Sequence, residues 1–408
     1  MSASTGEDFE AALARIHRDE YAAVVASLVR RFGSIDSAED AASEALVAAL
    51  EHWPTAGIPP NPGGWLTTTA TRKAIDKIRR ESNRDTKHQQ AAMIIDPTPP
   101  EDSGVVDDDR LRLLFTCCHP ALAPEARVAL TLKLIGGLTV EEIAAAFLVP
   151  DTTMAQRITR AKRKIFDAHI PYRVPQATDL PARLGGVLAV VYLIFNEGYL
   201  SSTSTDSIRD DLCLEAIRLA RLLRTLVPTE PEITGLLALM LLTVARRPAR
   251  VAGGELVTLG EQDRGRWDRS LIEEGHELVR ECLAINRPGH YQLLAAINAV
   301  HTDAPAASDT DWSQIAALYD QLYAVSPTPV VALNRAVAVA ELDGPVVALA
   351  AVDRLELTTY HAWHATRADL LRRLGRSSEA AAAYDAAIVA TDNPAERAYL
   401  TRRRGQLG

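Results

Sequence analysis

Residues 151–173 hold six Lys or Arg and two Asp or Glu, in a chain of 408 residues whose formal net charge is −9. Residues 61–90 hold seven basic and three acidic residues. Each segment therefore carries a net charge of about +4 inside an acidic chain. Clustered basic side chains neutralise the phosphates of nucleic acids. The two segments are therefore candidate DNA-binding surfaces, and the alternative is an ordinary solvated helix face.

The sequence leading into residues 151–173 has the pattern of a helix-turn-helix. Thr139 and Glu142 have capping-box spacing, which predicts that a helix begins at Val140. Pro150 disfavours helical geometry at Val149 and suits the first turn of a following helix, so the first helix should end before it. The apolar residues of the second helix form one stripe at i, i+4, i+7 and i+11: Met154, Ile158, Ala161 and Ile165.

The polar side chains of this second helix are predicted on its outer side. In a helix-turn-helix, the second helix offers the side chains near its N-terminus to base edges in the major groove. The residues predicted to face DNA are Thr152, Thr153, Gln156, Arg157, Arg160 and Arg163.

The other basic segment also has helical periodicity. It follows Gly57–Gly64, a stretch too rich in glycine and proline to be predicted as helix. The apolar residues predicted to face inward are Trp65, Leu66, Ala70, Ala74, Ile75 and Ile78. The basic residues predicted to lie mostly outward are Arg72, Lys73, Lys77, Arg79, Arg80 and Arg84.

An acidic helix is predicted immediately before that loop. Ser37 and Asp40 have capping-box spacing, and the acidic residues of the segment fall in its first turns. These acids form either a solvated helix face or a docking face for a basic partner.

The four cysteines are Cys117, Cys118, Cys213 and Cys282, too few for a disulfide framework in a chain of this length. They are predicted to be buried, inert thiols in a reducing cytoplasm. Cys117–His119 could form half of a metal site, but no second ligand pair with zinc spacing follows it, so no cofactor is predicted. No nucleophile–base pair or phosphate loop stands out, so the chain is not expected to be an enzyme.

The composition favours an all-α fold, because Ala, Leu and Arg recur throughout and aromatic residues make up only 5%. A length of 408 residues predicts two to four packed units. Residues 96–109 hold six acids, no base and three prolines, which predicts a flexible acidic linker. We therefore expect a small helical domain, the linker, the helix-turn-helix domain and a long helical remainder.

The remainder contains a weak internal repeat. Arg-Ala pairs at 335, 367 and 397 are 32 and 30 residues apart, close to the period of tetratricopeptide repeats (TPR). Repeat packing is favoured over a non-repeating bundle, and either could offer a concave surface to a protein partner. Arg250–Asp268, with four glycines, is predicted as a surface loop with local ion pairs, or else as a contact with the preceding domains.

No membrane segment is expected. The most apolar run, Val187–Phe195, is far shorter than the roughly 20 residues that a span requires. The start of the chain has no basic leader followed by an apolar core. These features predict a cytoplasmic protein.

Three stretches resemble, in order and spacing, regions 2 and 4 of bacterial RNA polymerase sigma factors of the extracytoplasmic-function (ECF) class. They are AEDAASEALVAALEHW (38–53), GWLTTTATRKAIDKIRR (64–80) and LTVEEIAAAFLVPDTTMAQRITRAKRKI (138–165). Further stretches, among them VYLIFNEGY and DRGRWDRSLI, resemble the subgroup that carries a long helical C-terminal extension.

The resemblance implies sigma region 2 at residues 8–88, an acidic linker at 89–109, sigma region 4 at 110–173 and a TPR-like extension at 174–408. It implies core RNA polymerase and promoter DNA as partners, with a further protein partner possible on the extension, and no cofactor.

The resemblance also implies roles for individual residues. Glu39, Asp40 and Glu44 would dock on the clamp helices of the largest polymerase subunit. The helix that begins at Asp151 would read the minus-35 promoter element through the six DNA-facing residues named above. The non-template strand of the minus-ten element would be captured by Asn61, Trp65, Arg72, Lys73, Lys77, Arg79 and Arg80.

Two functions remain to be compared. One is a sigma factor whose extension regulates it or binds a partner in cis. The other is a conventional helix-turn-helix regulator with a partner-sensing TPR-like domain. Only the sigma factor needs an acidic docking helix followed by a basic helix anchored by tryptophan. A purely structural repeat scaffold would leave both basic segments unexplained.

Overall fold

The structure, a computed structural model, describes residues 3–84, 108–147, 149–176, 178–200, 207–252, 255–391 and 393–407. Within these ranges the chain forms α-helices, short 3-10 turns and one two-stranded hairpin, which confirms the predicted all-α class. The chain divides into two compact units, Met1–Ile194 and Phe195–Gly408. Most of the predicted acidic linker and Leu148 of the predicted turn lie outside the described residues.

The helices of the first unit are α1 (Ala3–Phe32), α2 (Ile35–Ala56), α3 (Pro62–Arg84), α4 (Asp109–Cys117), α5 (Pro124–Leu134), α6 (Val140–Ala146) and α7 (Asp151–Asp167). The next helix, α8 (Leu180–Leu200), contains the boundary between the units. Asp108 caps α4 by accepting a hydrogen bond from the Arg110 amide at 2.8 Å, so the last two acids of the predicted linker belong to a helix start.

Helices α1, α2 and α3 form a bundle in which each packs against the other two. The inner face of α2 is built from small residues, which lets the neighbouring helices approach closely. These residues are Ala38, Ala41, Ala42, Ala45 and Ala49. The larger side chains Val25 of α1, Trp53 of α2 and Leu66 of α3 complete the core. The bundle thereby places the acidic face of α2 beside the basic face of α3.

Two predicted boundaries in this bundle are wrong. Helix α2 is capped by Ser34, whose hydroxyl accepts a hydrogen bond from the Ser37 amide at 3.2 Å, and not by Ser37 itself. Gly33, with φ of +71°, takes the left-handed conformation that separates α1 from α2, so the new helix starts directly after it.

Helix α3 begins at Pro62, so the last three residues of the predicted Gly57–Gly64 loop are helical. Asn61 caps the helix through a 2.9 Å hydrogen bond from the Gly64 amide to its side-chain oxygen. Proline suits the first turn of a helix because the amide it lacks has no partner there.

The helix-turn-helix formed by α6 and α7 confirms the sequence pattern. The Thr139 amide donates to Glu142 Oε2 at 2.7 Å, and the Glu142 amide donates to Thr139 Oγ1 at 3.1 Å, so the capping box is complete. Pro150 has extended geometry and α7 begins at the next residue. All four residues of the predicted apolar stripe are buried: Met154, Ile158, Ala161 and Ile165.

Replacing Thr139 with alanine is expected to lower the free energy of unfolding by about 1 kcal/mol, because the Glu142 amide in the first turn of α6 loses its hydrogen-bond acceptor. Thermal unfolding of the purified protein measures the loss. Thr159→Ala is the control, since that hydroxyl only returns to the Ala155 carbonyl of its own helix. An equal loss in both variants would contradict the importance of the cap.

The second unit continues with further helices. They are α9 (Ser207–Leu226), α10 (Pro231–Val244), α11 (Arg269–Ile285), α12 (His290–Asp303), α13 (Trp312–Val325), α14 (Pro329–Leu342), α15 (Pro345–Val352), α16 (His361–Arg373), α17 (Ser377–Ala390) and α18 (Pro394–Gly405). From α9 to α18 each helix packs against the next in sequence, and α14 also contacts α16. This sequential packing of short helices fits the predicted TPR-like arrangement.

The segment predicted as an irregular surface loop contains a short antiparallel hairpin of β1 (Val251–Ala252) and β2 (Glu255–Leu256). Its ion pair is not local, because Glu255 Oε2 lies 2.8 Å from Arg402 Nε of α18. The hairpin is therefore tied to the last helix of the same unit.

One described helix segment, Leu180–Tyr199, is long and apolar enough to cross a membrane by length and composition. It is longer than the apolar run seen in the sequence because flanking helical residues extend it. A single helix of this kind is weak evidence for a membrane span.

Candidate nucleic-acid interface

The outer surface of α7 carries the side chains predicted to read DNA. Five of the six are exposed: Thr152, Thr153, Gln156, Arg160 and Arg163. Arg157 is half-buried beside the apolar stripe. A polar, positively charged helix surface anchored by a buried stripe is the arrangement that enters a major groove.

The polar contacts along this surface are long. Arg160 Nη2 lies 3.5 Å from Gln156 Oε1, and Arg163 Nε lies 3.4 Å from Asp167 Oδ2. Exposed contacts of this kind contribute little free energy, so DNA phosphates or bases can replace them at low cost.

The basic residues of α3 lie partly against the acidic residues of α2. Lys77 Nζ is 2.7 Å from Asp40 Oδ2, and Lys73 Nζ is 3.9 Å from Glu44 Oε2. The structure thus brings together two sets of side chains that the sequence assigned to different partners. Arg72, Arg79 and Arg80 are exposed on α3.

Trp65, at the start of α3, is positioned by a second tryptophan. Its ring is half-buried and meets the ring of Trp53 edge to face, with centroids 5.3 Å apart. Trp53 is only 3% exposed, so its buried ring supports the Trp65 ring in a fixed position. Trp65 can therefore present part of its ring to an unstacked base. The Asn61 side-chain oxygen is occupied by its own helix cap.

The acidic residues predicted to dock a partner differ in exposure. Asp40 is exposed and Glu44 is half-exposed on the outer side of α2. Glu39 is only 8% exposed and contacts Lys162 of α7. The three residues therefore do not form one outward-facing set in this structure.

Two apolar residues that the sequence reading did not assign to the site lie on the outer side of α2. Val47 is 54% exposed and Leu50 is 49% exposed. Val47 follows Asp40 by seven residues, so the two share one helix face. The sequence did contain a signal for this surface, because these apolar residues lie at helical spacing outside the Ala-rich inner face of α2. They form, with Asp40 and Glu44, a mixed acidic and apolar surface.

Lys162 was also not assigned to the site. It leaves α7 on the side of Ile158 and Ile165 and reaches α2, where its Nζ lies 2.9 Å from Asp36 Oδ1 and in contact with Glu39 Oε2. Burial lowers the pKa of Lys162, but the Glu39 and Asp36 carboxylates outweigh it, so the pKa lies above its usual value. Lys162 is therefore charged at neutral pH.

The Cys117 and Cys118 thiols are buried, as predicted. Cys118 Sγ lies 3.5 Å from Thr131 Oγ1, and burial raises the pKa of Cys118 to about 11. Both thiols are therefore protonated at neutral pH. Among the residues that the structure describes, no group of three or more His, Cys, Asp and Glu side chains could hold a metal ion.

Three family models match the chain. They are sigma-70 region 2 over residues 17–84, sigma-70 region 4 over 112–165 and a family of unknown function (DUF6596) over 183–283. An uncharacterized protein of Rhizobium meliloti (strain 1021), R00370, is 43% identical over 391 residues, which span 93% of this chain and 92% of that protein.

Two relatives have descriptive names. The ECF RNA polymerase sigma factor SigK of Mycobacterium ulcerans (strain Agy99) is 30% identical over 121 residues, which span 28% of this chain and 64% of SigK. The ECF RNA polymerase sigma factor SigL of Mycobacterium tuberculosis (strain ATCC 25618 / H37Rv) is 29% identical over 160 residues, which span 38% of this chain and 88% of SigL. No solved structure matches the chain.

The two sigma-70 matches fall on the helices that carry the candidate interface. Region 2 corresponds to α1–α3 and region 4 to α4–α7. The region that follows is helical. The chain belongs to the extracytoplasmic-function class of RNA polymerase sigma factors and carries a helical C-terminal extension.

Proposed function

We propose that this sigma factor binds core RNA polymerase through the outer face of α2, reads the minus-35 element with α7 and supports opening of the minus-ten element with α3. The proposal rests chiefly on α7. Its exposed Thr, Gln and Arg side chains project from a helix that four buried apolar residues hold in place. Side chains that read bases must be held in place by a rigidly packed helix.

The start of α3 supports a role in strand capture. An unpaired base loses its stacking neighbours, and an aromatic ring can replace part of that stacking energy. Trp65 is half-buried over Trp53, and Arg72 lies seven residues further along α3, where a displaced strand could follow the helix. The exposed basic side chains would then neutralise its phosphates.

The outer face of α2 supports a role in docking. Asp40 and Glu44 supply negative charge, while Val47 and Leu50 supply apolar area that is already exposed. Interfaces commonly combine an apolar centre with a charged rim. The partner that fits this face is a helix with apolar and basic residues.

For the C-terminal extension, we propose a regulatory or partner-binding role in cis. Helix α14 leaves Val330 and Val337 exposed on one face, at a spacing of seven residues. Apolar residues at this spacing can receive an extended or helical peptide. The partner would therefore present apolar side chains.

The purified full chain is expected to associate with bacterial core RNA polymerase. The double variant Asp40→Lys with Glu44→Lys should bind at least about tenfold more weakly, because like charges would then face each other across the interface. Fluorescence anisotropy of labelled protein against core polymerase measures both affinities. A full chain that does not associate with core polymerase at all would contradict the sigma-factor function.

The matched control is a charge swap. Asp40→Lys combined with Lys77→Glu restores the ion pair within the bundle but leaves a positive charge at position 40. If α2 docks through this carboxylate, the swap should still bind weakly. Recovery of full affinity by the swap would mean that Asp40→Lys weakens binding only by breaking the ion pair with Lys77 within the bundle. The outer face of α2 would then not dock on the polymerase.

A further inference from the structure

Three arginine side chains come together in the second unit, beside α12. Arg246, just after the end of α10, donates from Nη2 to Asn298 Oδ1 at 2.6 Å. Arg264 donates from Nη1 to the His301 carbonyl oxygen at 2.6 Å, one helical turn further along α12. Arg250 follows Arg246 by four residues. We call Arg246, Arg250 and Arg264 the arginine cluster.

The three guanidinium groups are close enough to act on one another. Burial lowers the pKa of Arg246, and the charges of Arg250 and Arg264 lower it further. The neighbouring Tyr199 acts in the opposite direction on the same pKa. Burial and, after it, the charges of Arg246 and Arg264 lower the pKa of His301 to about 4. Positive charges held together away from water repel one another, so this cluster favours a bound negative charge.

The four acidic residues of Arg250–Asp268, the segment that supplies two of these arginines, are engaged elsewhere. Their partners are Arg402 for Glu255, the Thr258 hydroxyl for Glu261, the Gly265 amide for Asp263, and the Ser270 and Leu271 amides for Asp268. Asp309 acts on Arg264 only at longer range. Among the residues that the structure describes, no carboxylate forms an ion pair with a member of the arginine cluster.

Buried donors in and beside the cluster also lack acceptors. Within the described part of the chain, Arg246 Nε, Arg264 Nε and Trp267 Nε1 are buried and donate to no acceptor. The Arg264 guanidinium lies 4.7 Å from the centre of the Trp267 ring, so two of these donors are neighbours. Gln262 Oε1 is a buried acceptor without a donor, but one neutral oxygen does not balance three positive charges.

A structural role explains only part of the cluster. Arg264 Nη1 also donates to the Ala304 carbonyl oxygen at 2.5 Å, which fastens the end of α12. Arg250 Nη1 donates to the Tyr199 carbonyl oxygen at 3.0 Å, and its guanidinium lies 4.0 Å from the centre of the Tyr199 ring. These partners are neutral, as is the Asn298 amide that meets Arg246. They satisfy hydrogen bonds but leave the three charges uncompensated.

An anion with more than one negative charge fits this cluster best. A phosphoryl group carries about −1.5 to −2 charges at pH 7 and offers three acceptor oxygens. The planar fork of an arginine side chain binds such oxygens in pairs. A carboxylate would supply a single charge. Arg246, Arg250 and Tyr199 are half-buried rather than buried, so a small ligand can approach them from solvent.

We propose that the arginine cluster binds the phosphoryl group of a small anion, either inorganic phosphate or a phosphate monoester. This site lies in the C-terminal extension and is distinct from the surfaces proposed for DNA and polymerase. Arg246 and Arg250 would donate to the phosphoryl oxygens, while Arg264 would add its charge and hold α12 in place. The inference does not depend on the proposed function, because binding can be measured without polymerase or DNA.

Isothermal titration calorimetry of the full chain tests the site. Protein in phosphate-free buffer is titrated with inorganic phosphate, phenyl phosphate or acetate at constant ionic strength. Phosphate or phenyl phosphate should bind at one saturable site, at least about tenfold more tightly than acetate. Tighter binding of phenyl phosphate would identify a monoester as the ligand, and tighter binding of phosphate the inorganic ion. No saturable binding of either, or equal binding of acetate, would overturn the proposal.

Substitutions locate the binding to the cluster. Arg250→Gln and Arg246→Gln should each weaken binding of the phosphoryl probe at least about tenfold, because a charge and its donors are lost. Arg266→Gln is the matched control, since it removes the same charge from an exposed position of the same segment. Its affinity should stay close to that of the wild type. Equal weakening in all three variants would indicate general attraction to positive charge and would overturn the site.

Thermal unfolding separates lost binding from a folding defect. A ligand that binds only the folded state raises its melting temperature. Phosphate, compared with chloride at equal ionic strength, should raise the melting temperature of the wild type and Arg266→Gln more than that of Arg250→Gln. Circular dichroism without ligand checks that the variants have the same helix content. An equal rise in Arg250→Gln and Arg246→Gln would show that phosphate acts through the solvent and not at this cluster.

Discussion

Replacing Arg157 with alanine is expected to weaken binding to a cognate promoter by about 1–3 kcal/mol, the usual value of a good base contact. Arg157 lies on α7 next to the buried Ile158 and is itself half-buried, so its side chain is held in a narrower range than those of its exposed neighbours. Promoters selected by the reconstituted holoenzyme from random DNA supply the ligand. The measurements are the affinity and the base preference at the contacted position.

Arg163→Ala is the matched comparison on the same helix. Arg163 is exposed, pairs only loosely with Asp167 and lies near the end of α7 rather than at its reading N-terminus. Its loss should weaken binding to all sequences alike and reduce the salt dependence by about one phosphate contact. An Arg157→Ala variant with unchanged base preference would remove Arg157 from the reading set.

Replacing Trp53 with alanine is expected to destabilise the region 2 bundle by about 3–5 kcal/mol, because a large buried ring is replaced by a cavity. Trp53 is 3% exposed and supports Trp65. Trp65→Ala removes a ring that is already half-exposed, so the loss of stability should be smaller. Native-state hydrogen exchange of the α2 amides measures both values within the bundle.

Trp65→Ala is expected to impair promoter opening even though it costs less stability than Trp53→Ala. A Trp65→Ala protein that remains folded should lose strand opening at the minus-ten element, because no aromatic surface replaces the stacking of the displaced base. Fluorescence of 2-aminopurine placed in that element reports the opening. If Trp65→Ala opened promoters as well as the wild type, strand capture by this residue would be excluded, whatever its effect on stability.

The parts of the fold that were predicted correctly depend on residues close together in the chain. The capping box of Thr139 and Glu142 is complete within one helical turn. The buried stripe of α7 follows from helical periodicity alone, and its outward polar face follows from the stripe. Five of the six DNA-facing residues of α7 lie within its first ten positions, where this local reasoning is strongest.

The predicted boundaries failed where one residue overrides a pattern. Ser37 and Asp40 have capping-box spacing, but Gly33 allows the chain to turn earlier. The Ser34 side chain therefore caps the helix by accepting a hydrogen bond from the Ser37 amide. The glycine- and proline-rich loop ends at Asn61, because a proline after a capping asparagine starts a helix rather than interrupting it.

The sequence by itself determined the helical class, the helix-turn-helix, the two basic segments and the acidic helix, since these depend on composition and on spacings of a few residues. Only the tertiary structure decided which charges meet. Lys162 and Glu39, Lys77 and Asp40, and Trp65 and Trp53 are neighbours through helix packing. The physical reason is that a helical period tells which side of a helix a residue occupies but not which other helix lies against that side.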